Sequence, residues 1–161
     1  MIDKEEIRQV ILTQLSTDHK NAVIAANTAH ADATNEESKA ENKYDTRGVE
    51  ASYLAEGQSR RVAELEASIA AYEGLHLSGF DENTKIRLTA LVSLVDSDNN
   101  SRCLFVGPDG GGLVVALSTG ECIVVTPMAP LGKALIGKYV GDDVVIKAAG
   151  QITTYEIISV S

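Results

Sequence analysis

Apolar residues between Asp3 and about His30 recur at Ile7, Ile11, Leu15, Ala22, Ala26 and Ala29. Steps of three, four or seven put them on one face of an α-helix. Asp3 followed three residues later by Glu6 is a capping-box arrangement, so the helix is expected to start there. A second stripe, Tyr53, Val62, Leu65, Ile69 and Tyr72, predicts a helix from Val49 to Glu73 that stops at Gly74. The first stripe is large and branched at its start and thins to Ala22, Ala25, Ala26 and Ala29. The two helices therefore predict an antiparallel hairpin, a coiled coil over residues 1–75, tightly paired and tapering toward its turn. Each arm of about 27 residues would be about 40 Å long, more than a small domain needs for its own core.

After a linker at 76–84 the period changes. Ile86 to Val95, Cys103 to Val106, Leu113 to Leu117, Cys122 to Val125, Val144 to Ile146 and Tyr155 to Ile158 are runs rich in β-branched residues. The clusters DSDNN, GPDGGG, STGE, GDD and AAGQ separate them as turns. Residues 85–161 are thus expected to form a small antiparallel sheet of five or six strands with one short helix, Leu131 to Ile136, opened by Pro130. The fold class is α+β. GPDGGG at 107–112 is no phosphate loop, since no Lys-Ser/Thr follows and the segment leads into a strand; it reads as a tight hairpin loop.

Charge narrows the partners. With 14 Lys and Arg against 23 Asp and Glu, the 161-residue chain carries net charge −9. That balance argues against general binding to DNA or to an anionic membrane and favours a basic partner, or one met through a local patch. No apolar run approaches the ~20 residues needed to span a bilayer. MIDKEEIRQV reads as an acidic helix opening rather than a signal peptide, so a cytoplasmic location is expected. Cys103 and Cys122 lie in strand-like runs without metal-type spacing and read as small core residues, not a disulfide or metal site. His19, His30 and His76 lack ligand spacing and read as surface or interhelix residues.

Between the two helices, HADATNEESKAENKYDTR at 30–47 holds Asp32, Glu36, Glu37, Glu41 and Asp45 with no Leu, Ile, Val or Phe to bury it. In the second half, TPMAPLGKALIGKYVGDDVV at 126–145 resembles the "SPL-x-x-ALIGK-x-x-GD" segment of the bacterial GreA/GreB transcription elongation factor family. The acidic turn resembles that family's coiled-coil tip, of the "DLSENAEY" type. The resemblance implies an N-terminal coiled coil and a C-terminal FKBP-like domain acting on bacterial RNA polymerase. The finger would enter the polymerase secondary channel, and its tip would help hold a magnesium ion shared with the polymerase active site, so that backtracked RNA is cleaved. The factor would not be an enzyme alone, would bind no cofactor alone, and would meet nascent RNA only indirectly. Magnesium takes hard oxygen ligands, and one or two donated carboxylates would suffice.

Two registers remain for the tip. Matching Glu41-Asn42-Lys43-Tyr44 to "ENAEY" drops a residue and puts Ser38 at the family's Asp. Matching Asp32-Ala-Thr-Asn-Glu36 to "DLSE" keeps both acids with one extra residue, and helical spacing lets such a pair share a face. Asp32 and Glu36 are the expected metal-directed acids, with Glu37 and Glu41 in reserve. The resemblance also implies docking near the short helix, through Met128, Pro130 and Leu131, although the family's acid before "SPL" is apolar here. The disturbed tip spacing keeps open a regulator that occupies the channel without promoting cleavage. Prolyl isomerase activity is disfavoured, since Phe80, Phe105, Tyr139 and Tyr155 are the aromatics of this half and no Trp occurs.

Overall fold

The computed structural model describes residues 2–35, 41, 43–44, 46–148 and 150–161. Helices α1 (Lys4–Thr34) and α2 (Arg47–Glu73) precede strands β1 (Leu91–Asp96), β2 (Ser101–Val106), β3 (Val114–Leu117) and β4 (Gly120–Val125). A short helix α3 (Pro130–Leu135) and strands β5 (Asp143–Ala148) and β6 (Gln151–Val160) follow. The chain divides into two compact units, residues 12–73 and residues 1–11 with 74–161. The opening turns of α1 thus group with the sheet. No helix of the described residues is long and apolar enough to cross a membrane.

In the helical unit, α1 continues to Thr34, beyond the expected end at His30, and the Thr34 hydroxyl donates to the His30 carbonyl at 3.0 Å. Leu15, Ala22 and Ala29 are buried along α1, as the stripe predicts. On α2 the buried residues are Ala55, Leu65, Ser68 and Tyr72. Tyr53, expected on that face, is 71% exposed. It stands two residues from Ala55, about 200° around the helix, so the helical period turns it away. His19 Nε2 lies 3.1 Å from Glu66 Oε1 and ties one helix to the other, in keeping with its expected interhelix place. Buried Ser68 satisfies its hydroxyl within the helix, donating to the Glu64 carbonyl at 3.0 Å.

In the other unit, Asp3 caps α1, its carboxylate accepting the Glu5 N–H at 2.9 Å. Lys4 donates to the Ser78 carbonyl and lies over the Phe80 ring, 4.7 Å from its centroid. Arg8 donates to the Leu75 carbonyl at 3.2 Å. Partial burial lowers the Lys4 pKa from its ordinary value.

The six-stranded sheet has the order β3-β4-β2-β1-β6-β5. Every neighbouring pair is antiparallel except β2 with β4, which is parallel, so the sheet is mixed where an all-antiparallel one was expected. The cause is the segment at 107–113. It does not close a hairpin onto β2; it steps across to β3, and β4 returns between them. The Gly112 N–H donates to the Val124 carbonyl at 2.8 Å and the Val124 N–H to the Leu113 carbonyl at 2.8 Å, so the step ends already paired with β4.

β1 starts at Leu91, five residues after the apolar run begins. Thr89 has φ 72°, a strained value for a β-branched residue, and it separates Ile86 from the strand. Ile86 instead exchanges backbone bonds with the turn that follows α3, donating to Lys138 O and accepting from Gly137 N, both at 2.8 Å. One face of the sheet carries the core of Val92, Leu94, Leu104, Val106, Leu135 and Ile157. Side chains alternate along a strand, so Phe105, Cys122 and Val124, all buried, belong to the other face. The central strands are therefore buried on both sides.

Candidate functional site

Asp32 sits in the last turn of a 31-residue helix and is exposed. At 1.5 Å per residue that helix is about 46 Å long, so the carboxylate stands at the end of a long arm. Its neighbours Ala31 and Ala33 are small, which keeps the arm thin. Glu36 and Glu37 lie outside the described residues. Glu41 is exposed and its Oε1 lies 3.3 Å from Nη2 of Arg47, the first residue of α2. Tyr44 is 79% exposed, with the Lys43 ammonium 4.9 Å from its ring centroid. Thr46, just before α2, donates its hydroxyl to Glu50 Oε1 at 2.9 Å.

Among the described residues no three His, Cys, Asp or Glu side chains converge to hold a metal ion. The structure thus places two of the four expected acids, Asp32 at the end of α1 and Glu41 against Arg47.

The residues expected to dock lie at the start of α3 and just before it. Met128 is 75% exposed and Pro130 is exposed, whereas Leu131 packs partly against the core. Ala129 precedes the helix in extended conformation and Pro130 opens it, where its fixed φ costs nothing. The glycine of Pro-Leu-Gly has a reason that pattern reading missed. A Cβ on Gly132 would stand 1.9 Å from the Thr126 carbonyl oxygen, so only glycine lets α3 press onto the end of β4. Gly137 and Gly141 take φ 83° and 86° and turn the chain from α3 back to β5. Asp142 closes that turn, its carboxylate accepting the Tyr139 N–H at 2.8 Å.

Beside α3 a groove of about 470 Å³ opens over Leu104, Ile123, Ala129 and Leu131, with Asp109 and Thr126 at its rim. The place of Asp109 beside α3 carried no signal in the sequence, because the step at 107–113 brings it there only in the folded chain. None of the residues lining the groove is aromatic, unlike the proline-holding pocket of a prolyl isomerase.

The family described as "Transcription elongation factor, GreA/GreB, C-term" matches residues 81–161. Transcription elongation factor GreA of Thermodesulfovibrio yellowstonii is 37% identical over 103 residues, 63% of this chain and 60% of that protein. GreA of Xylella fastidiosa is 33% identical over 102 residues, 62% of this chain and 60% of that protein. The aligned part thus spans three fifths of the length of these curated relatives. The solved structure of GreA factor homolog 1 from Thermus thermophilus aligns with 93% of this chain and 94% of its own, at 19% identity and a TM-score of 0.39. The half of the chain that carries the mixed sheet, α3 and its glycine turns is the half the family describes, and on that ground the protein belongs to the GreA/GreB family of transcription elongation factors.

Proposed function

We propose that this protein is a Gre-type factor that binds bacterial RNA polymerase, reaches into the secondary channel with the end of its helical hairpin, and stimulates cleavage of backtracked RNA. The observation that carries this reading is Asp32, an exposed carboxylate at the end of a 31-residue helix, in a chain whose other half is the GreA/GreB domain. The sheet unit docks through the surface around α3, with Met128 and Pro130 outermost and Leu131 anchoring them to the core.

Asp32 and Glu36 donate oxygen ligands to a magnesium ion whose other ligands belong to the polymerase, and Glu37 and Glu41 stand in reserve. When bound there, the ion would lower the pKa of a water and stabilise the leaving oxygen. This chain's part is to carry carboxylates, keep its tip narrow and hold its docking face. Net charge −9 fits a partner with basic walls.

A second reading, occupation of the channel without cleavage, draws support from the ion pair of Glu41 with Arg47, which neutralises one of the acids. Halted elongation complexes separate the two. Transcript shortening on addition of the protein, lost in the double variant Asp32→Ala, Glu36→Ala, is the expected result. Polymerase binding with inhibition and no shortening would select the second reading, and absence of binding would remove both.

A further inference from the structure

The parallel pair β2/β4 sets Cys103 directly opposite Cys122. Paired residues on neighbouring strands project from the same face, and the strands run about 4.8 Å apart. That spacing falls within the ~4.4–6.8 Å between Cα atoms that a disulfide bridges. Both cysteines are free. Their surroundings differ. Cys103 is half-buried, following the two exposed residues that open β2, while Cys122 is fully buried. Hydrogen bonding between the two thiols favours a Cys103 thiolate and holds its pKa below the ordinary value, whereas the same interaction and burial push the Cys122 thiol up.

We propose that Cys103 and Cys122 are a redox pair that closes into a reversible cross-strand disulfide on meeting a small-molecule disulfide such as oxidised glutathione. Cys103 is the accessible member and makes the first attack. Its thiolate bonds to one sulfur of the oxidant, the oxidant's S–S bond breaks, and one glutathione leaves as a thiolate that takes up a proton. Cys122 then loses its proton and attacks the Cys103 sulfur of the mixed disulfide, expelling the second glutathione. The protein loses two electrons, the oxidant gains them, and two thiols are released.

The bridge would span the one neighbouring pair of strands that runs parallel. It would turn residues 103–122 into a closed ring holding the step at 107–113 and all of β3. Asp109, Gly111 and Gly112 in that ring line the groove beside α3, so the redox state would set the stiffness of one groove wall.

The test uses the full chain with oxidised glutathione, followed by thiol counting and peptide mapping. The expected result is loss of both free thiols, a digest peptide joining Cys103 to Cys122, full reversal by dithiothreitol, and a Tm higher by about 5 °C in the oxidised form. Cys122→Ala should stop at a glutathione adduct on Cys103, and Cys103→Ala should not react. Mapping of the unsubstituted chain decides the matter even if a variant fails to fold. A lasting glutathione adduct without the linked peptide, a disulfide-joined dimer, or two thiols still free after prolonged oxidation would overturn the proposal.

Discussion

The two compact units solve different problems with different side chains. The sheet unit buries Phe105, Leu104, Val106, Leu135 and Ile157 at no more than 1% exposure, and its central strands are covered on both faces. The helical unit buries Leu15, Leu65 and Tyr72, but otherwise Ala22, Ala29, Ala55 and Ser68, and it leaves Ile24, Tyr53 and Leu54 more than half exposed. Burying a large apolar side chain contributes about 1.5–3 kcal/mol, and an alanine methyl about 0.8 kcal/mol. The hairpin therefore holds less stabilisation per residue. Small side chains keep it slender.

That contrast can be broken by substitution. Phe105→Ala should show the largest effect, about 4 kcal/mol lost from the sheet unit in denaturant unfolding, because a fully buried ring leaves a cavity between packed layers. Gly132→Ala should follow at about 3 kcal/mol, since its Cβ would collide with the Thr126 backbone and force α3 away from β4. An unchanged midpoint for Gly132→Ala would mean that the contact relaxes freely.

Leu65→Ala tests the other unit and should cost about 2 kcal/mol, at the low end for leucine because most of the buried side chains of that unit are small. Amide exchange should speed up in α2 while β1, β2 and β4 stay protected. Equal acceleration in the sheet would show that the two units unfold as one.

The smallest effect is expected on acidification. Hydrogen bonds from Asn100, side chain first and then backbone, hold the Asp96 carboxyl pKa below its ordinary value in the β1–β2 turn. A carboxylate whose folded pKa is depressed stabilises the fold above its unfolded pKa of about 4, and that contribution is lost as pH falls through the folded value. A Tm scan from pH 5 to pH 2 should therefore fall less steeply for Asp96→Asn than for the unsubstituted protein. Parallel scans would deny the turn this role.

Much of the fold was legible because periodicity reports burial directly. Ile7, Ile11 and Leu15 marked the inner face of α1, and the β-branched runs marked β1, β2, β3, β4, β5 and β6. Tyr53 misled because a gap of nine residues to Val62 left the face of α2 unconstrained near its start. The strand start at Ile86 misled because Thr89, strained at φ 72°, looks like any other strand residue in a list of letters. At the tip, Asp32 and Glu41 were legible as unburied acids, but the capture of Glu41 by Arg47 depends on where α2 begins.

The sequence by itself determined two long helices, a change of period near residue 84, the acids between the helices and the Pro-Leu-Gly to Gly-Asp segment that marks the family. Each of these rests on local pattern, and neighbours along the chain suffice to read it. Only the tertiary structure decided that β4 lies parallel to β2, that Asp109 reaches the rim of the groove, that Gly132 must be bare, and that Cys103 faces Cys122. Those facts depend on which segments become neighbours across the sheet, and that choice is made by packing and backbone pairing between residues far apart in the chain.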